Sequence, residues 1–373
     1  MPDIPSAALV EAWTETHEVT NQPPAFAGYD CFSGDAALRE AVVREGAAWI
    51  EPEAAALAAL ATSERVQDLA RAANRHAPEL KTHDRWGRRA DLVEFHPSYH
   101  ELMALAFGAG VHSLAWTAKR PGAHVARAAL SFLWNQIENG VGCPTGMAYS
   151  SIPALRRNAE IAAVWEPAVL STRYDPRPLP VAQKMGATIG MALTEKQGGS
   201  DLRANTTRAE PVGEAGDPRA AYRLTGHKWF CSAPMSDAFF VLAYTDAGPS
   251  CFFVPRSLPD GTRNPFALQR LKDKCGNRSN ASSEVEFQGT HAVLVGEAGR
   301  GIRAALEMAH LTRLDFAVGS AGLMRLALSL ALHHVDHRLA FQKRLVDQPL
   351  MQSVMADLAL ESEAATALAI RLA

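Results

Sequence analysis

The apolar pattern changes period twice along the chain, and this limits the fold more than any other feature. Residues 222–232, 238–245, 250–254 and 283–287 are short runs rich in β-branched and aromatic residues, bounded by Gly, Pro, Asp or Asn. No crossover helix separates them, so they predict an antiparallel barrel or sandwich rather than parallel βαβ units. Gly296, Gly299 and Gly301 close this block. Helical periodicity precedes it and returns over 302–337 and 347–373. The expected class is α+β and multidomain, with a helical domain over 1–178, a middle β domain over 179–298 and a partial helical bundle over 299–373.

Within the first block, residues 1–33 read as irregular. Leu38, Val42 and Trp49 suit one helical face, which Pro52 interrupts. Ser63 is placed to cap a further helix. The charged stretch 83–95, with Arg85, Arg88 and Arg89, reads as a solvated loop. Ser98-Tyr99-His100-Glu101 has the form of a capping box opening a helix that stops near Gly108-Ala109-Gly110. After Pro121-Gly122, Val125, Ala129, Phe132 and Gln136 share a face of a helix ending at Asn139-Gly140. Cys143-Pro144 opens a helical pair that runs through Trp165.

A net charge of −3 supplies no basic field for nucleic acid. No apolar run reads as long enough to span a membrane, and the N-terminal stretch with Asp3, Glu11, Glu15 and Glu18 lacks the apolar core of a secretory signal. The five cysteines are odd in number and none is spaced for a metal or redox pair, which suits a reduced, cytoplasmic protein. His333 and His337 share a helix face but have no third partner, so no metal site is expected.

Two short segments carry chemistry. The first is Leu193-Thr194-Glu195-Lys196-Gln197-Gly198-Gly199-Ser200-Asp201, the second Gly226-His227-Lys228-Trp229-Phe230-Cys231-Ser232. Paired glycines let backbone N–H groups form a concave donor site. The adjoining aromatics add a flat wall suited to a planar heterocycle. Taken locally, an ordinary turn and a core strand fit as well, and Trp229 by default packs into the barrel.

The order and spacing of the two segments resemble the acyl-CoA dehydrogenase family. Thr20-Asn21-Gln22-Pro23-Pro24, residues 193–207 and the stretch Arg270-Leu271-Lys272-Asp273-Lys274-Cys275-Gly276-Asn277-Arg278-Ser279-Asn280 extend the likeness to its AidB-like alkylation-response branch. The resemblance implies FAD between the β domain and the helices. Met191, Leu193, Thr194, Glu195, Gly199, Ser200, Phe230, Cys231 and Ser232 fall at cofactor positions, and Thr194, Ser200 and Ser232 also at substrate positions. Ser232 matches the hydroxyl facing flavin N5, where hydride arrives. Arg338, Phe341 and Gln348 resemble a segment that reaches the adenine end in a neighbouring subunit, with Gln342 in place of the usual Gly.

The implied reaction is α,β-dehydrogenation of an acyl-CoA. The family's aromatic-Glu-Gly base segment does not occur, and the alternative base position is Thr312, so the catalytic residue is expected beyond Ala373. The resemblance further implies a homotetramer, with DNA contact only through a basic part C-terminal to this chain. Two alternatives stay open: a flavin-binding DNA-damage response protein with little turnover, and an inactive truncated form with two of four bundle helices.

Overall fold

The computed structural model describes residues 16–213 and 221–373. The expectations for the extreme N-terminus therefore fall largely on residues 1–15, outside the described residues.

Among the described residues the first helix, α1 (Ala36–Arg44), starts at Asp35, whose carboxylate accepts the Leu38 N–H at 3.1 Å. Pro52 does not break a helix. It occupies the first turn of α2 (Glu51–Ala61), where a missing N–H is harmless. Ser63 caps α3 (Glu64–Arg75). The charged stretch predicted as a loop is instead a hairpin, β1 (Glu79–His83) with β2 (Arg89–Glu94). Asp91 holds it against the barrel by accepting the Leu268 N–H at 2.8 Å. Helix α4 (Pro97–Gly108) is capped by His96 rather than by the predicted Ser98 box, because Pro97 takes the first helical position and carries Ser98 into the helix. After the single turn α5 (Leu114–Thr117) comes α6 (Ala123–Trp134), buried along its whole length. Asn139-Gly140 starts the next helix rather than ending this one. Glu138 caps it by accepting the Val141 N–H at 2.8 Å, and α7 (Asn139–Leu155) is followed by α8 (Ala159–Val169).

The β domain contains β3 (Ile189–Ala192), β4 (Arg208–Val212), β5 (Ala221–Ser232), β6 (Ala238–Thr245), β7 (Gly248–Pro255), β8 (Phe266–Leu271) and β9 (Ser282–Val295). Pairings β6–β4–β5–β9–β7 and β7–β6 close a ring, with β3 and β8 added at its edges. The barrel is not wholly antiparallel, since β3 and β4 both run parallel to β6. The crossover this requires is made by the β4–β5 pair and not by a helix. In β6, Phe239, Val241 and Ala243 enter the barrel interior, while Ala238, Phe240 and Leu242 meet the helices. Burial of both faces explains why this strand reads as a continuous apolar run.

Helix α9 (Gly301–His337) lies against α6, α7 and β7, and α10 (Pro349–Leu372) packs on α9 and α1. By length and composition α9 could cross a membrane, which corrects the reading that no apolar run reaches that length. Part of its apolar character serves packing: Ala304, Ala305 and Met308 join the barrel–helix layer, and Val318 and Ala321 join the helical core, while Leu306, Phe316, Leu323 and Leu330 stay exposed.

Candidate functional site

The loop after β3 is fixed from beneath. Glu195 and Gly198 close a tight turn, with the Gly198 N–H donating to the Glu195 carbonyl at 3.1 Å. The Glu195 carboxylate is fully buried and accepts from Lys228 Nζ at 2.7 Å, Thr207 Oγ1 at 2.6 Å, the Thr206 N–H at 2.7 Å and Gln197 Nε2 at 2.8 Å. Burial alone would raise this carboxyl, but the Lys228 charge and the threonine donors hold it down to about 2. Burial pushes the Lys228 ammonium down to about 8, with Glu195 opposing. Asn205 Nδ2 donates to the Leu193 carbonyl at 2.8 Å, and the Trp229 N–H donates to the Thr194 carbonyl at 2.8 Å. The loop is thereby stitched to β5. Gly199 is needed because a Cβ there would lie 2.6 Å from Thr194 Oγ1.

The second segment bulges. Lys228 pairs with Val285 but Cys231 with Ser283, so β5 holds one residue more than its partner. Bulges re-aim side chains beside functional sites, and this one turns Trp229 and Phe230 out of the ladder. Phe230 is 49% exposed. Trp229 is half-buried and not part of the barrel core, contrary to the sequence expectation. Lys272 Nζ lies 3.2 Å from the centre of its ring, and the Arg270 guanidinium 5.4 Å.

Between the barrel mouth and the helices lies a cavity of about 370 Å³, lined by Met191, Leu193, Thr194, Phe230 and Ser232 on the barrel side. Asn139, Cys143 and Met147 of α7 and Thr312, Asp315 and Phe316 of α9 face them. Thr194 and Ser232 thus open on one compartment. Ser232 Oγ lies 3.1 Å from Ser282 Oγ. Burial raises the Cys143 thiol.

Other predicted positions lie elsewhere. Glu195 sits behind the loop, inside its own hydrogen-bond cage. Gly199 shapes Thr194 without lining the cavity, and Ser200 is exposed. The Cys231 side chain points into the barrel core. Arg338 Nη1 donates to the Asn21 carbonyl at 2.6 Å at the far end of α9, and Phe341 is 93% exposed. Gln342 adopts φ 63°, a left-handed conformation that the usual Gly would take without strain.

On the helix side of the cavity the sequence reading names only Thr312, as the alternative base position, and misses the α7 residues and Asp315. A signal existed: Gly142 and Gly146 lie one turn apart inside α7, where glycine costs about 1 kcal/mol relative to alanine and so implies a packing reason.

The cavity suits a flavin ring. Among the described residues Thr194 Oγ1 has no hydrogen-bond partner, and it shares the cavity with the half-exposed Phe230 ring. An unpartnered donor beside a flat apolar wall is what a planar heterocycle with a polar edge requires.

The family described as "Adaptive response protein AidB N-terminal domain" matches residues 21–176. "Acyl-CoA dehydrogenase, middle domain" matches 190–290 and "Acyl-CoA dehydrogenase, C-terminal domain" matches 299–373. The chain is 49% identical over 362 residues to AidB of Escherichia coli (strain K12), covering 96% of this chain and 66% of that protein. It therefore spans slightly less than two thirds of that relative's length. Among solved structures, the apo-form of Bd2924 superposes with a TM-score of 0.84 at 26% identity, covering 93% of this chain and 70% of that one. Caenorhabditis elegans ACDH-11, solved in complex with C11-CoA, gives 0.81 at 25% identity, covering 95% and 63%. The chain belongs to the acyl-CoA dehydrogenase family, in its AidB-like branch.

Proposed function

We propose that the chain serves α,β-dehydrogenation of an acyl thioester. The observation that carries this reading is the convergence of Thr194, Phe230 and Ser232 with Thr312 and Asp315 on one cavity. When bound there, FAD supplies a two-electron oxidant. Leu193, Thr194 and Ser232 would hold its polar edge, and Phe230 would cover its face. The Glu195–Lys228 pair keeps the Thr194 loop from relaxing, so these donors are preorganised rather than recruited. Met147, Phe316 and Leu323 add apolar lining on the helix side.

The reading extends to a homo-oligomer, supported by Phe316 at 61% and Leu368 at 61% exposure on α9 and α10. A reducing, cytoplasmic setting is proposed on the five cysteines, all of them free thiols.

The test is spectroscopic. Purified with added FAD, the folded chain is expected to retain flavin through gel filtration. Anaerobic addition of a suitable acyl-CoA, with a small carboxylate such as acetate supplied as the base for the α-proton, is then expected to bleach the flavin band. A folded chain that never takes up FAD would overturn the reading. Retained flavin that no acyl-CoA bleaches would favour a damage-response role with little turnover.

A further inference from the structure

The floor of the cavity is polar where an aliphatic chain would need it apolar. Asp315 stands on α9 one turn beyond Thr312, its side chain 10% exposed. Its carboxylate crosses α7 at Gly146, and a Cβ on that glycine would collide with Oδ2. Arg127, from the buried helix α6, pairs through Nη1 with Asp315 Oδ1. Ser131 Oγ donates to the same oxygen at 2.8 Å. Arg127 is held in turn by its Nε, which donates to the Val111 carbonyl at 2.7 Å, and by the Tyr149 ring, centred 4.1 Å from the guanidinium carbon. Beside this pair, Asn139 Nδ2 donates to Asn135 Oδ1 at 2.8 Å, at a helix crossing that Gly319 keeps open.

This cluster has spare hydrogen-bonding capacity. Arg127 Nη2 is buried without a partner. Among the described residues Asp315 Oδ2 accepts no hydrogen bond. An alkyl chain pushed against this floor would strip water from the carboxylate oxygen and return nothing, and leaving such a group unsatisfied is expensive. A site built to hydrogen-bond a substrate group rejects the analogue that lacks it far more strongly than an apolar pocket rejects an extra methylene. Arg127 already balances the Asp315 charge, so the complement is a neutral donor rather than a second cation. The cavity is near the small end for ligand sites, and cofactor ring and acyl group share it.

We propose that the cavity selects a short acyl thioester bearing a hydroxyl on its distal carbons, with Asp315 Oδ2 as the acceptor. This inference rests on the acyl-thioester reading above. Arg127 acts through Asp315 and is a positioning residue. Straight aliphatic chains are disfavoured.

The test measures binding rather than turnover. The full chain is loaded with FAD and its flavin content is measured after gel filtration. Butyryl-CoA, 4-hydroxybutyryl-CoA and octanoyl-CoA are then titrated anaerobically by calorimetry. The hydroxylated thioester is expected to bind about tenfold tighter, or more, than either aliphatic one. In the double variant Arg127→Met/Asp315→Leu the order is expected to invert, with octanoyl-CoA tightest. A pair that is only structural would change stability and leave the order alone, so an unchanged order in the folded variant overturns the proposal. Should that variant fail to fold, the order on the unmodified chain decides by itself. Retained flavin with octanoyl-CoA bound as tightly as the hydroxylated ligand sinks this inference alone. A folded chain without flavin sinks the flavin reading and this one with it.

Discussion

Two buried ion pairs sit on opposite sides of the cavity, and they are built differently. Lys228 and Glu195 are both fully enclosed, 2.7 Å apart, and threonine hydroxyls and backbone N–H groups occupy the remaining carboxylate positions. Arg127 and Asp315 are 3% and 10% exposed, and the pair leaves one guanidinium nitrogen and one carboxylate oxygen unused. The closed pair has nothing left to offer a ligand, so its effect on function passes through the Thr194 loop it supports. The open pair is unfinished within the chain and takes its last partner from whatever enters the cavity. Buried charge therefore marks a fixed scaffold in one place and a recognition surface in the other, and saturation of the hydrogen bonds tells them apart.

The largest expected effect lies on the closed side. Lys228→Met leaves the Glu195 carboxylate buried and uncompensated, which should destabilise the chain by about 3–5 kcal/mol. Urea unfolding reads this as a lower midpoint with little change in slope, and the surviving folded fraction should lose FAD. The companion variant Glu195→Gln/Lys228→Met should recover most of the loss. If Lys228→Met alone left the midpoint where it was, the pair would not be the support described.

Acid should reach the same pair without mutation. The Glu195 carboxyl is held down to about 2, against an ordinary value of 4.5. Between those values the unfolded chain takes up a proton that the folded chain refuses, so protons favour unfolding there. The stabilisation is fully present above about pH 4.5 and is lost as pH falls through about 2, in total on the order of 3 kcal/mol. Other carboxylates titrate over the same range, so the decisive measurement is the difference between the parent chain and Glu195→Gln/Lys228→Met. The parent should lose more stability between pH about 5 and about 3, and equal losses would show that the cage does not hold the carboxyl down.

On the open side, Asp315→Leu strands the Arg127 charge but leaves its bond to Val111 and its contact with Tyr149. A loss of about 2 kcal/mol is expected, below the usual cost of breaking a buried pair. Arg127→Met/Asp315→Leu should restore most of it, and the four urea midpoints form the cycle that measures the coupling. A double variant no more stable than the single one would place the cost of Asp315→Leu in packing rather than in the stranded charge.

What could be read from the sequence follows the range of the interactions. The loop at 193–201 and the strand at 226–232 hold their residues in continuous runs, and the structure brings Thr194, Phe230 and Ser232 to one cavity. The continuous apolar run 238–245 and the alternating run 222–232 are distinct enough to locate β6 and most of β5. The Arg127–Asp315 pair was invisible because its members lie 188 residues apart, each alone on a helix where a charge reads as solvated surface. Ser63 was legible as a cap, but two other helix ends were misread for a local reason: Pro97 outcompeted the Ser98 box, and Glu138 turned an apparent helix end at Asn139-Gly140 into a beginning. Strands β3, β4 and β8 escaped because they are short and complete a barrel whose register is set by β6 and β9.

Trp229 offers a third, weaker electrostatic arrangement and the smallest expected effect. Lys272 stands over its ring, and Lys272 and Arg270 both donate to Glu284 Oε1, at 2.7 and 2.6 Å. Unlike both buried pairs, this one is partly open to solvent: the Arg270 side chain is 64% exposed and that of Lys272 14%. Water and salt screen such contacts, and cation–π pairs at exposed sites contribute about 0.5–1 kcal/mol. Lys272→Gln should therefore lower the unfolding midpoint only slightly, and the difference from the parent should shrink as salt is raised. The Lys228→Met difference should persist at high salt, because ions do not reach an enclosed pair. If both differences faded together, enclosure would not be what separates the closed pair from its exposed neighbours.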